Sequence, residues 1–375
     1  MKIAFTADWH IGVSTHSTNK VGIPSRTQDS IDSVNKIINK AKDLNCDTFI
    51  VGGDLFHHSN PRPAFIFEAV KLLQYANRMF EDIIVISGNH DPMPLNGGVG
   101  SIGLLTNMND IPHNRMYEED ADLLITKREE KVHLSIRPYQ KKTQVMEKPM
   151  SLDNEAPIIM IAHHHFQGAV VGSETRMLAG GVSVIEELDG VSLILSGHIH
   201  KPQHIKTPKG VSVLYPGSPA RFYFSDRDDT KGFWVIETEG KSVNNLDFIE
   251  IENRPMVQIE RDARWLSQSE KKCLKDLKKV KGADVKTIIS CDDVLEIDIV
   301  KMVDLLKKAG AHYIVPPKIE LRHKDRVREE EINRDQNKDK CVDLWLESND
   351  LGQFEKEEIK QSADKIMQAV SYTHL

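Results

Sequence analysis

Apolar and polar positions alternate in blocks over the first two-thirds of the chain. KIAFTAD (2–8) is an apolar run closed by an aspartate and reads as a buried strand. From Gln28 to Leu44, the residues Ile31, Val34, Ile37, Ile38, Ala41 and Leu44 recur at the spacing of one helical face. DTFIVGGD (47–54) predicts a second strand, residues 63–80 a helix opened by Pro63, and DIIVISGNHD (82–91) a third strand running into a loop. This β-α-β-α-β order implies a parallel sheet with right-handed crossovers. PIIMIAHHH (157–165), GVSLILSGHIH (190–200), VSVLYPGS (211–218) and GFWVIET (232–238) predict further strands, some of them antiparallel because their connections are short.

The pattern changes near Glu252–Pro255. Beyond it come a strand at 256–261, a helix at 268–280, a strand at 284–290, a helix at 294–308 and a strand at 311–322. The expected layout is a main α/β domain over 1–252, a small α/β domain over 253–325, and a linker with a helical segment over 326–375. Between Arg322 and Lys340 the charges alternate in sign, as on a solvated helix face or linker. Two short amphipathic helices are expected at 341–347 and 354–370.

A length of 375 residues, 39% hydrophobic and 28% charged, is that of a folded globular chain of about two domains. No apolar run nears the roughly 18 residues that span a membrane, and Asp8 interrupts the start too early for a signal peptide. Cys46, Cys273, Cys291 and Cys341 lie far apart with no C-x-x-C pair, which argues against a zinc knuckle or disulfide framework and for a reducing cytoplasm. The net charge of −7 weighs mildly against nucleic acid, although a site that holds phosphate through metal ions needs less positive charge of its own. The unusual number is 16 histidines.

Five motifs stand at predicted strand ends: D-W-H (Asp8, His10), G-G-D (Asp54), G-N-H-D (Asn89, His90, Asp91), the run His163–His165, and G-H-I-H (His198, His200). Each alone has a bland explanation, a turn carboxylate or a hydrogen-bonded histidine. Together they gather at the carboxyl edge of the strands, where open α/β sheets bind ligands. Carboxylate, amide and imidazole donors suit Mn²⁺, Fe²⁺ or Zn²⁺ better than Ca²⁺. Asp8, His10, Asp54, Asn89, one histidine of 163–165, His198 and His200 supply about the ligand number two cations need, with Asp54 on the central strand as the shared carboxylate. Of the three histidines, His163 directly follows the buried run; His165 would point the same way and His164 the other way. His57 and His58 are expected to line the groove.

With D-W-H-I-G, G-G-D-L-F-H, G-N-H-D, a strand-end histidine, G-H-I-H and then Y-P-G-S-P-A-R (215–221), the chain resembles the calcineurin-like metallophosphoesterase superfamily, and within it the SbcD-type DNA-repair nucleases. The motifs cover residues 1–240; the rest matches in layout only. The resemblance implies a metallophosphoesterase β-sandwich flanked by helices, a small α/β capping domain and a C-terminal helical segment. It implies one metal on Asp8, His10, Asp54 and His200, and another on Asp54, Asn89, His163 and His198. His90 would act as general acid beside them, and Asp91 would orient His90 or nearby backbone. The expected activity is a Mn²⁺-dependent 3′→5′ exonuclease on duplex ends and an endonuclease on single strands, with Mg²⁺, Fe²⁺ or Zn²⁺ as alternative ions.

The expected partners are DNA, an SbcC-type coiled-coil ATPase and a second copy of the chain. Lys20, Arg26 and Arg62, in loops beside the motifs, are candidate contacts to backbone phosphate. Leu344, Trp345, Leu346, Leu351, Phe354, Ile359, Ile366 and Met367 form a candidate docking stripe for the ATPase. The helices at 63–80 and about 101–109, with Ala64, Phe65, Phe67, Leu72, Phe80, Leu104 and Leu105, are the candidate dimer face. Two rival readings are a hydrolase of small phosphodiesters in the same superfamily and a scaffold of the same fold that has lost its metals.

Overall fold

In a computed structural model, the described residues are 1–15, 22–91, 100–106, 116–139, 149, 152–170, 188, 190–207, 209–292, 297–322, 357 and 359–362. The first part runs β1 (Lys2–Thr6), α1 (Ser25–Asp43), β2 (Thr48–Val51), α2 (Pro63–Asn77), β3 (Asp82–Ile86), α3 (Ser101–Thr106) and β4 (Met116–Tyr117). Strands β5 (Ala121–Lys127), β6 (Glu130–Arg137), β7 (Ile158–Ala162), β8 (Val191–Ser196), β9 (Gln203–Lys206), β10 (Ser212–Tyr215), β11 (Gly232–Glu239) and β12 (Ser242–Glu250) follow.

These strands make two six-stranded sheets, ordered β12-β11-β1-β2-β3-β4 and β5-β6-β7-β8-β10-β9. In the first, β1, β2, β3 and β4 are parallel and β11 returns antiparallel beside β1. In the second, β6, β7, β8 and β10 are parallel. Alternation along each strand splits its side chains between two cores. Ile3 and Phe5 of β1 face Ile159, Ile161, Leu193 and Leu195 of the other sheet, while Ala4 faces Val34, Ile37 and Leu73 of the covering helices. Burial on both faces explains why these strands read as nearly unbroken apolar runs. The architecture is the expected β-sandwich flanked by helices.

The sequence pattern missed the β5–β6 hairpin. Its turn is Arg128–Glu129, with φ of 48° and 74°, rather than the Asn-Gly or Asp-Gly that announces such a turn. It also missed β12, whose residues are mostly exposed or half-buried and show no clean alternation.

Strands β13 (Met256–Asp262), β14 (Asp284–Cys291), β15 (Tyr313–Ile314) and β16 (Lys318–Leu321), with α4 (Glu270–Asp276) and α5 (Ile299–Lys308), build a separate sheet and core around Trp265, Leu277, Val285, Ile289 and Leu305. This sheet is pinned to the sandwich. Arg26, 1% exposed, hydrogen-bonds Asp284 of β14, and Arg254 grips Asp29 of α1 with bonds of 2.8–3.0 Å. By contacts, Met1–Glu320 is one compact unit and Leu321–Leu375 another. In the second unit, residues 357 and 359–362 are helical; the remainder of the expected docking helices lies outside the described residues. Among the described residues no helix is long and apolar enough to cross a membrane. On the candidate dimer face, Phe65, Leu72, Phe80 and Leu105 are core residues, whereas Phe67 (62%) and Leu104 (42%) are exposed.

Candidate metal centre

All five motifs fall just past the carboxyl ends of their strands. β1 leads to Asp8 and His10, β2 to Asp54, β3 to Asn89–Asp91, β7 to His163 and β8 to His198 and His200. The turns are tight. Asp8, His10, Asp54 and His198 all have positive φ, at 54°, 45°, 52° and 85°. A left-handed backbone at a residue with a side chain costs on the order of 1–3 kcal/mol, so packing must hold these four in place. Gly53, at φ 93°, has no room for a side chain, because a Cβ there would meet the His163 ring.

The side chains converge. His10 Nε2 lies 2.9 Å from His200 Nε2 and 3.5 Å from Asp54 Oδ2. His163 Nε2 lies 3.4 Å from Asp54 Oδ2, 3.1 Å from Asn89 Oδ1 and 4.0 Å from Asp8 Oδ1. Asn89 Oδ1 is also 2.7 Å from His198 Nδ1. Asp54 Oδ2 therefore stands between a His10–His200 half and an Asn89–His163–His198 half. Asp8 borders both: one oxygen accepts the His198 amide at 2.9 Å, and the other is buried with no hydrogen-bond partner. Asp8, His10 and His200 form one group able to hold a cation, and Asp8, Asp54 and His163 another, with ligand atoms in each within 4.8 Å of one another.

The electrostatics fit cations. Burial holds His10 well below the usual imidazole range, and burial with neighbouring positive charge brings His198 down to about 3 and His200 to about 4. Their ring nitrogens keep free lone pairs at neutral pH. Burial and the nearby Asp54 charge push Asp8 up to about 7, against the pull of His163. Burial also works to raise Asp54, but the imidazoles of His163, His10 and His90 outweigh it and hold that carboxyl low. His163 is the exception among the rings. Burial lowers it, yet the Asp54 and Asp8 carboxylates raise it to about 9, so it carries a proton that a cation would displace. Its Nδ1–H donates to Gly52 O at 2.7 Å, which aims Nε2 into the cluster. An unsatisfied buried carboxylate oxygen, facing imidazole nitrogens and a carboxylate–amide–imidazole donor set suit first-row divalent ions.

The other histidines of the run turn away: His164 Nε2 reaches Pro138 O and His165 Nε2 reaches Ala169 O, each at 3.3 Å. His90 sits at the rim, with its amide on Asp54 Oδ1 and its Nδ1 on His57 O, both at 2.8 Å; Nε2 lies 3.9 Å from Asp54. Asp91 sits beneath the site, on the backbone of the motif loops. It is fully buried and accepts the amides of Leu55, Phe56 and Gly88 at 2.9–3.2 Å, stapling two motif loops together. The His90 ring takes its orientation from the His57 carbonyl instead.

Of the cations expected to face phosphate, Arg62 is exposed at the start of α2 and Lys20 lies outside the described residues. Arg26 corrects the expectation: it is buried, and its guanidinium is committed to Asp29, Asp284 and Arg221 O.

His57, expected to line the groove, has its Nδ1 3.3 Å from His10 Nδ1. Two further neighbours of the site gave no local signal in the sequence: the Phe222 ring meets the His10 and His200 rings edge-on at 5.6 and 5.7 Å, and Tyr139 stacks near His198, at 6.2 Å and 23°.

The family model for the calcineurin-like phosphoesterases matches residues 1–202, and the chain belongs to that family. It is similar to the DNA double-strand break repair protein Mre11 of Methanopyrus kandleri, 22% identical over 347 residues, covering 88% of this chain and 72% of that one. It is also similar to the SbcD component of the SbcCD nuclease of Bacillus subtilis, 26% identical over 292 residues, covering 69% and 72%. Among solved structures, a dimetal phosphatase from Danio rerio overlaps at TM-score 0.41 and 9% identity, covering 67% of this chain and 98% of that one.

Proposed function

We propose that the chain is a two-metal DNA phosphodiesterase of double-strand-break repair, cutting duplex ends 3′→5′ and single strands internally. The observation that carries the chemistry is the meeting of five strand ends around Asp54. Asp8, His10, Asp54 and His200 would hold one cation; Asp54, Asn89, His163 and His198 the other. Mn²⁺ fits this donor set, with Mg²⁺, Fe²⁺ and Zn²⁺ as alternatives. Bound there, such ions would lower the pKa of a water and offset charge on phosphorus.

The chain's own residues do the rest. Asp54 keeps its carboxylate ionised between the two halves. Asp91 and Gly52 O fix the loops and the His163 ring. His90, half-exposed with its Nδ1 tied to His57 O, presents Nε2 to the departing oxygen and supplies its proton. The names of the Mre11 and SbcCD relatives favour DNA over a small phosphoester and an SbcC-type ATPase as partner. Cysteine spacing and those relatives favour the cytoplasm. Exposed Phe67 and Leu104 support a homodimer through that face.

The test is digestion of end-labelled duplex DNA with Mn²⁺ or Mg²⁺, with and without the ATPase. Shortening from 3′ ends in Mn²⁺ is expected. Cleavage of a chromogenic diester without any cleavage of DNA would refute the substrate.

A further inference from the structure

Behind His200 lies a lysine that neither a strand nor a core requires. Lys231 immediately precedes β11 and is 1% exposed. Burying an ammonium is costly unless its donors are used. Here Nζ donates to His200 O at 2.8 Å and to Ser218 Oγ at 3.1 Å, and Asp229 Oδ2 stands 3.6 Å away. The same His200 carbonyl accepts the amide of Ser218 at 3.1 Å. Gly217, at φ 71°, permits this approach, since a Cβ there would lie 2.5 Å from His200 O. One main-chain oxygen of a candidate ligand is thus held twice, from a turn and from a buried cation.

The ring of His200 is braced by the same segment. Phe222 meets it edge-on, and the Phe222 amide is fixed on Asp226 Oδ2 at 3.1 Å. Residues 217–231 therefore clamp His200 at both its backbone and its imidazole.

We infer that Lys231 is a positioning residue for the cation that His200 helps to hold. This inference rests on the two-metal reading of the site. Nζ links His200 O to Ser218 Oγ from the start of β11; a methionine there fills the space but leaves the carbonyl to the Ser218 amide alone. The His200 ring is then held less firmly, and one cation position loosens while the Asn89–His163–His198 position keeps its ligands.

The experiment is Mn²⁺ titration of the full chain followed by electron paramagnetic resonance. The wild-type chain is expected to take two Mn²⁺ and show an exchange-coupled pair. In Lys231→Met, the second equivalent is expected to bind about ten-fold or more weakly, the usual scale for losing a support of a metal ligand. At equal loading the spectrum becomes that of single, uncoupled Mn²⁺. A folded Lys231→Met that binds a coupled pair as tightly as wild type overturns the inference. If that variant does not fold, Ser218→Ala carries the test, because it removes one of the two Nζ anchors. It should weaken the second equivalent roughly two- to ten-fold, and an unchanged titration overturns the inference equally. A wild-type chain that binds no Mn²⁺ pair would refute the two-metal reading itself.

Discussion

The two halves of the metal centre are held by different means. On the Asn89–His163–His198 side, the supports are main-chain groups of the motif loops themselves: the Gly52 carbonyl fixes His163, and the His198 amide sits on Asp8. On the His10–His200 side, the supports are side chains, two of them from the segment that precedes β11. His57 faces His10, Phe222 packs on both rings, and Lys231 holds the His200 backbone. The first half follows almost automatically once the strands are registered. The second depends on how residues 216–231 fold back. Substitutions away from the ligands should therefore disturb the His10–His200 half far more than the other.

The largest effect should come where the halves meet. Asp54→Asn should remove the carboxylate shared by both, abolish tight binding of both ions and lower DNA cleavage by at least about 10²–10³-fold. Two Mn²⁺ retained in that variant would show that the halves do not share Asp54. His90→Ala removes none of the proposed ligands. Cleavage should fall about 10²–10⁴-fold with Mn²⁺ binding intact, and loss of the metals would mean that His90 is a ligand rather than an acid. Phe222→Ala should weaken one Mn²⁺ equivalent about ten-fold and spare the other; a calorimetric titration in which both weaken alike would dissolve the distinction.

The halves should also differ in proton release. His163 rises from its ordinary 6.5 to about 9, so metal-free protein carries that proton at neutral pH, and a cation entering its side must expel it. Apparent Mn²⁺ affinity on that side should climb as pH rises towards 9 and then level off. His10 and His200 are already neutral at pH 7, so on that side only Asp8, at about 7, has a fraction of a proton to release. Dye-monitored proton release on adding Mn²⁺ at pH 7 checks the sign; no release would show that His163 is not displaced. The smallest effect belongs to Tyr139→Ala, which removes an aromatic neighbour of His163, His164 and His198 but no ligand. A change of roughly two- to ten-fold in Mn²⁺ affinity on that side is expected.

The sandwich and the ligand cluster were legible because both leave short-range marks. A strand buried on both faces is a run of β-branched residues, and a polar residue directly after such a run must lie at the sheet edge, as Asp8, Asp54 and His163 do. What was illegible is set by partners far along the chain. Arg26 looks like any loop cation until Asp284, 258 positions later, closes on it. Lys231 precedes an ordinary strand, and only the fold brings the His200 carbonyl to its Nζ. Asp91 shares a motif with His90, yet its backbone partners Leu55 and Phe56 belong to another loop. The Arg128–Glu129 turn adopts a conformation normally announced by glycine, so its hairpin was hidden as well.

Anomalous diffraction from crystals soaked in Mn²⁺ addresses the central point most directly. Two peaks about 3.5–4 Å apart should flank the Asp54 carboxylate, one within reach of His10 and His200, the other of Asn89, His163 and His198. A single peak, or none beside Asp54, would contradict the shared cage on which the proposed chemistry depends.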